Sequence, residues 1–207
     1  MAETAIRRRL TREESRSQTR ERLLRAAARV FLRRGFHRAS VEEVAETAGF
    51  STGAVYSNFA GKEDLLLALW DEREREEEEA VVEILGREPT FAGRIDAVGE
   101  WFARFIELDR ERAQLQSEVF TVAVRDRRTR AKLVERLRRP RSLLGAFIEA
   151  QCRELDIELP VPREQAATLV LALAGGLAQQ KLVDPDSVPE ELFPLALTLL
   201  VRGLSTL

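Results

Sequence analysis

Between positions 52 and 62 stand Thr52, Gly53, Ala54, Tyr56, Ser57, Asn58 and Lys62: short hydrogen-bonding side chains, two residues with almost no side chain, a phenol and an ammonium. None of them pairs a nucleophile with a base, so the chemistry they offer is recognition and not bond making. Thr52, Ser57 and Asn58 can donate to or accept from polar edges, while Gly53 and Ala54 let a backbone approach a base edge or a thymine methyl. Tyr56 joins a ring that packs to a hydroxyl that can reach a phosphate. Lys62, in the first turn of a helix, brings a point charge and a helix N-terminus to the same backbone, and Ser40 offers a second helix-start contact.

The elements that must carry these residues are short helices. Ser40 with Glu43 has capping-box spacing, so a helix starts there. Val41, Val44, Ala45 and Ala48 fall on one of its faces, and Gly49 is a left-handed stop. Ser51 can cap a second helix running to about Phe59, with Val55 and Phe59 facing inward. Two short helices around a Gly-containing turn make a helix-turn-helix, whose second helix can lie in a DNA major groove. Upstream, Leu23–Phe31 leads to Gly35-Phe36; downstream, Tyr56, Phe59, Lys62, Glu63 and Leu65 stand at fixed offsets from Gly49.

This constellation, over residues 19 to about 68, resembles the DNA-binding domain of TetR-type bacterial repressors, the TetR/AcrR family. The resemblance implies phosphate contacts for Ser40, Tyr56 and Lys62, and base reading by Thr52, Gly53, Ala54, Ser57 and Asn58. Glu42 departs from the family's pattern, in which a basic or polar residue stands there. Ser51 reads as a cap.

Composition narrows the remaining classes. The chain has 207 residues, 44% hydrophobic and 33% charged, enough for one or two domains with a real core. Its net charge of −2 is uneven: residues 1–61 carry an excess of five positive charges and the remainder an excess of seven negative ones. A basic start before an acidic body suits one module that faces nucleic acid and one that does not. With a single cysteine, Cys152, no intrachain disulfide can form, and a reducing cytoplasm is the simplest setting. The apolar run Ala166–Ala178 reads as too short for a bilayer, so no membrane partner is expected. His37, the single histidine, has no acid or cysteine at ligand spacing, and Cys152 reads as a packing residue. No phosphate loop or catalytic triad order appears, so the expectations are no enzyme, no catalytic residue, no metal and no cofactor.

The rest of the chain also reads as helical. Thr11 with Glu14 opens a first helix ending near Gly35, after a flexible basic arm over residues 1–12. A helix from Lys62 to about Gly86 has an almost wholly charged middle, Asp71–Glu79, read as a solvated connector. Further helices are expected at about 90–108, 114–125, 129–154 with a kink or split at Pro140, 163–183 and 189–205.

The last two are apolar nearly all round. A small bundle cannot enclose both, so Leu169, Leu171, Gly175, Gly176, Leu195 and Leu199 are expected at a homodimer interface. The resemblance implies the same, a four-helix interface between two copies. The aromatics Trp101, Phe102, Phe105, Phe120 and Phe147, with Gln179, are candidate walls of a pocket for a small hydrophobic effector.

The expectation is therefore all-α: a helix-turn-helix domain over 13–68, then a helical regulatory and dimerisation bundle over 69–207. Its partners would be double-stranded DNA, a second copy and an effector. The alternative is an all-α module that binds a partner protein through its C-terminal helices.

Overall fold

The computed structural model describes residues 11–108 and 110–204, without the side chains of residues 105–108, 112, 201, 202 and 204. Residues 1–10 of the expected arm therefore lie outside the described residues. The chain divides into two compact units, Met1–Leu69 and Trp70–Leu207. Every regular element among the described residues is helical.

The first unit holds α1 (Arg12–Arg34), α2 (Val41–Ala48), α3 (Thr52–Tyr56) and the opening turns of α4 (Lys62–Arg87). Two capping boxes fix its starts. The Glu14 N–H donates to Thr11 Oγ1 at 3.1 Å while the Thr11 N–H donates to Glu14 Oε2 at 2.8 Å. Ser40 and Glu43 repeat the pattern at 3.1 and 3.3 Å. Gly49 ends α2 at φ 73°, where a side chain would be strained. The core is closed: Leu23, Val30, Phe31, Val44, Val55, Phe59, Leu65 and Leu66 are all buried.

α3 is shorter than its sequence suggests, ending at Tyr56 instead of near Phe59. Ser57 Oγ and Asn58 Nδ2 both donate to the Ala54 carbonyl, at 2.9 and 2.8 Å. They occupy the acceptor that the Asn58 N–H would take in a continuing helix, and that N–H goes to Val55 O instead.

The second unit continues α4 and adds α5 (Phe91–Leu108), α6 (Arg110–Arg125), α7 (Arg127–Glu154), α8 (Arg163–Val183), a 3₁₀ turn at Pro185–Ser187, and α9 (Leu192–Leu204). α6 starts four residues earlier than expected, because Arg110–Ala113 contains only good helix formers. α7 also starts earlier: the Asp126 carboxylate accepts the Thr129 N–H, and bonds from Thr129 hold that carboxyl below its usual range. Pro140 does not split α7.

Phe102 and Phe193 stack with centroids 4.0 Å apart and anchor a cluster with Ala113, Ala178 and Leu197. α5 and α9 approach so closely that a Cβ at Gly99 would lie 2.3 Å from Pro194 Cγ. At Gly145 a Cβ would lie 2.9 Å from the Arg163 carbonyl oxygen, so α7 meets the start of α8 backbone to backbone.

Two expectations need correction here. The charged middle of α4 is no free connector: Asp71 pairs with Arg136 at 2.7 Å and Glu78 with Arg139 at 3.1 Å, both on α7. Such partly exposed pairs contribute little energy each and mainly fix how α4 and α7 align. Also, α8 is by length and composition apolar enough to cross a bilayer, so helix length alone does not exclude one. It packs on α6 and α7 within the unit.

Candidate functional site

α3 turns one face inward and one outward. Val55 is fully buried, whereas Thr52, Gly53, Tyr56 and Ser57 are exposed, Tyr56 by 57%. Gly53 has no internal reason to be glycine, since a Cβ there would meet only Ser51 Oγ at 3.7 Å. Glycine in a helix costs about 0.5–1 kcal/mol against alanine. The vacant position instead leaves α3 flat on its open side, where a flat surface could approach. Ala54 is half-buried, and Asn58 is half-buried with its amide committed to Ala54 O and Ser57 Oγ. Asn58 therefore holds the end of α3 and offers an outside partner only its remaining bonding capacity.

Two arginines of α1 secure this turn, and sequence reasoning overlooked both. Arg22 donates to the Ala48 carbonyl at 3.1 Å and lies over the Phe50 ring at 4.6 Å. Arg20 donates to the Asn58 carbonyl at 3.3 Å and lies over Phe59 at 4.3 Å. Their i,i+2 spacing gave no hint that they would grip the chain on either side of α3.

Lys62 has an unexpected set of partners. Its Nζ donates to the carbonyls of Phe36, His37 and Ala39, at 2.8, 3.3 and 2.9 Å, and lies 4.5 Å from the Phe36 ring centre. An ammonium has three protons, and all three are used. The side chain pins the α1–α2 corner just before Ser40, whose hydroxyl caps α2. Only its charge and the backbone at the α4 N-terminus stay available to a phosphate.

A second site lies within the second unit. A cavity of about 160 Å³ is walled by α4 (Val81, Leu85), α5 (Phe91, Arg94, Ile95, Val98), α7 (Leu144, Phe147, Ile148, Gln151, Cys152), α8 (Leu169, Val170) and α9 (Phe193, Leu197). Of the aromatics expected to line a pocket, Phe147 does so. Trp101 and Phe102 belong to the packed cluster around Phe193. Phe120 sits 42% exposed, edge-on to Trp70. Gln179 is exposed and donates to Ser117 Oγ at 3.4 Å, and the Phe105 side chain lies outside the described residues.

The middle of α5 faces α9 and is filled, while its first turns face α7 and leave the gap. The stripe Phe91, Ile95, Val98, interrupted by Arg94, was the available signal. Burial pushes the Cys152 thiol up.

The dimer candidates form an open surface. Leu169, Leu171, Leu195 and Leu199 are exposed by 55, 39, 53 and 58%. A Cβ at Gly176 would meet nothing within 4 Å, and one at Gly175 only the Gln116 amide nitrogen.

Residues 23–69, which carry α2, α3 and their supports, match the family of bacterial regulatory proteins of the tetR type. Over these residues the chain matches the TetR family. The chain is 37% identical over 101 residues to the transcriptional activator FasR of Mycolicibacterium smegmatis, covering 49% of this chain. The chain spans less than half, 44%, of FasR's own length. It is 26% identical to the regulator AcrR of Shigella flexneri over 86% of this chain and 85% of that one. Among solved structures it resembles FadR of Bacillus subtilis, in complex with stearoyl-CoA, with a TM-score of 0.70 and 21% identity over 90% of this chain and 98% of that one. At that identity the likeness concerns the fold.

Proposed function

We propose that this chain is a cytoplasmic, DNA-binding transcriptional regulator of the TetR family that acts as a homodimer on a palindromic operator. In this reading it represses transcription, and a small hydrophobic ligand in the second unit releases it. The observation that carries the reading is the open face of α3, Thr52, Gly53, Tyr56 and Ser57, mounted on a helix that buries Val55. Thr52, Gly53, Ala54 and Ser57 read base edges, with Asn58 contributing through the end of α3. Tyr56 and the helix starts at Ser40 and Lys62 hold phosphates.

Two copies meeting through Leu169, Leu171, Gly175, Gly176, Leu195 and Leu199 would bury the open leucines and present two α3 helices to half-sites about one helical turn apart. A ligand that binds better to another spacing of the dimer's two recognition helices shifts the population towards it. FasR is named an activator, so the direction of regulation is the finest part of this reading.

The test is a salt titration of binding to duplex DNA. Affinity should fall linearly in log–log form with salt, with a slope of several units. Binding that ignores salt, or no binding, would leave the protein-interaction alternative standing.

A further inference from the structure

The cavity of the second unit has one charged residue on its wall, and that charge is already answered. Arg94 Nη1 donates to Gln151 Oε1 at 2.6 Å and lies 3.4 Å from Glu154 Oε2, while Arg94 Nε donates to the Glu88 carbonyl at 2.9 Å. Gln151 is buried, at 7% exposure, and both ends of its amide are used: Oε1 accepts from Arg94, and Nε2 donates to Glu154 Oε2 at 3.2 Å. The Arg94 side chain is 19% exposed and that of Glu154 57%. So a guanidinium at the cavity edge is closed into a three-residue ring whose net charge is zero. The rest of the wall is apolar, apart from the Cys152 thiol.

From this we infer that the effector site accepts an uncharged apolar molecule about the size of one aromatic ring, and that Glu154 sets this selectivity by neutralising Arg94. The inference rests on the effector reading above and gives it a ligand class. Size follows from the volume: about 160 Å³ is close to the roughly 150 Å³ of an apolar cavity that holds benzene. Selectivity follows from the ring. An anion would have to displace Glu154 from Arg94 and shed its own water in an apolar space, which is costly without a free partner. A neutral ring displaces nothing.

Without the Glu154 charge the same wall would carry a net positive charge, and a carboxylate of equal size would find a charged partner in Arg94. Glu154 is exposed enough that Glu154→Gln keeps an amide oxygen in reach of Arg94 and should not disturb folding.

The experiment uses the full chain, with toluene and benzoate as a matched pair. Cys152 lines the cavity and is the only cysteine, so its modification by methyl methanethiosulfonate, followed by mass, reports occupancy. Thermal stabilisation is the second readout. In the unmodified protein toluene should slow the reaction and raise Tm, with benzoate at least about tenfold weaker. In Glu154→Gln benzoate should gain about tenfold or more while toluene is unchanged. If benzoate matches toluene in the unmodified protein, or gains nothing in Glu154→Gln, the inference is overturned and the effector reading stands. If neither molecule protects Cys152 nor raises Tm in either protein, the cavity is no ligand site, and the effector reading falls together with the inference.

Discussion

The two units carry candidate sites of opposite kinds. In the first, the candidate surface is convex and polar, and its residues come from a short stretch of chain set on a closed core. The starts of α1, α2 and α3 are written into the sequence by the capping residues Thr11, Ser40 and Ser51, and side-chain contacts hold its corners: Arg22 on Ala48, Lys62 on three carbonyls. In the second, the candidate site is concave and apolar, and its wall is gathered from five helices between Val81 and Leu200. A convex polar face can be rebuilt one side chain at a time with little effect on stability. A concave apolar one cannot, because the residues that shape it also hold the bundle together.

That contrast can be broken most severely in the second unit. Phe193 both stacks on Phe102 and walls the cavity. Phe193→Ala should cost about 3–5 kcal/mol and abolish toluene protection of Cys152, as read by denaturant unfolding and thiol modification. A small cost with binding intact would mean that cavity and core are separate.

Next in size, Leu195→Glu with Leu199→Glu places two charges on the open leucine face. Each protomer should stay folded by circular dichroism, because both side chains are already exposed. Sedimentation should show monomer, and DNA affinity should drop by at least about a hundredfold, since charges buried in an apolar interface cost several kcal/mol. An unaltered dimer would remove this face as the interface.

In the first unit the effects should be smaller and separable. Lys62→Met keeps the length of the side chain but frees three carbonyls. The first unit should lose about 1–3 kcal/mol, with faster hydrogen exchange at the start of α2. DNA affinity should fall while its salt slope is retained, because the Lys62 ammonium acts on the α1–α2 corner. A slope lower by about one unit would instead mark Lys62 as a direct phosphate contact.

Gly53→Ala should move stability and binding in opposite directions. Helix propensity favours the variant by about 0.5–1 kcal/mol, and the new methyl meets nothing closer than Ser51 Oγ. Tm should therefore rise slightly, while DNA affinity falls. An unchanged affinity would mean that no surface comes close to α3 at that point.

Legibility followed the same divide. In the first unit the capping boxes at Thr11 and Ser40 and the stop at Gly49 act over three or four residues, so sequence alone located them. The exposed face of α3 followed from Val55 turning inward. The end of α3 was missed because side chains of Ser57 and Asn58 took over a backbone acceptor, a competition that no periodicity reveals. Lys62 was read as facing outward because its partners lie 23–26 residues earlier in the chain.

In the second unit the helices were legible but the cavity was not. Whether Trp101 or Phe147 meets empty space depends on how α5 crosses α7 and α9. The α5–α9 approach is close at Gly99, and Gly145 brings α7 against the start of α8. The charged run of α4 looked solvated because its counter-charges on α7 are some sixty residues away.

The most direct measurement is selection of bound duplexes from a random pool by the unmodified 207-residue chain. Enrichment should converge on an inverted repeat whose half-sites lie about one helical turn, 10–10.5 base pairs, centre to centre, or a multiple of it. Thr52→Ala should shift the bases preferred within each half-site and leave the spacing alone. A pool that stays random after repeated rounds would contradict the account, and so would enrichment of a single unrepeated site.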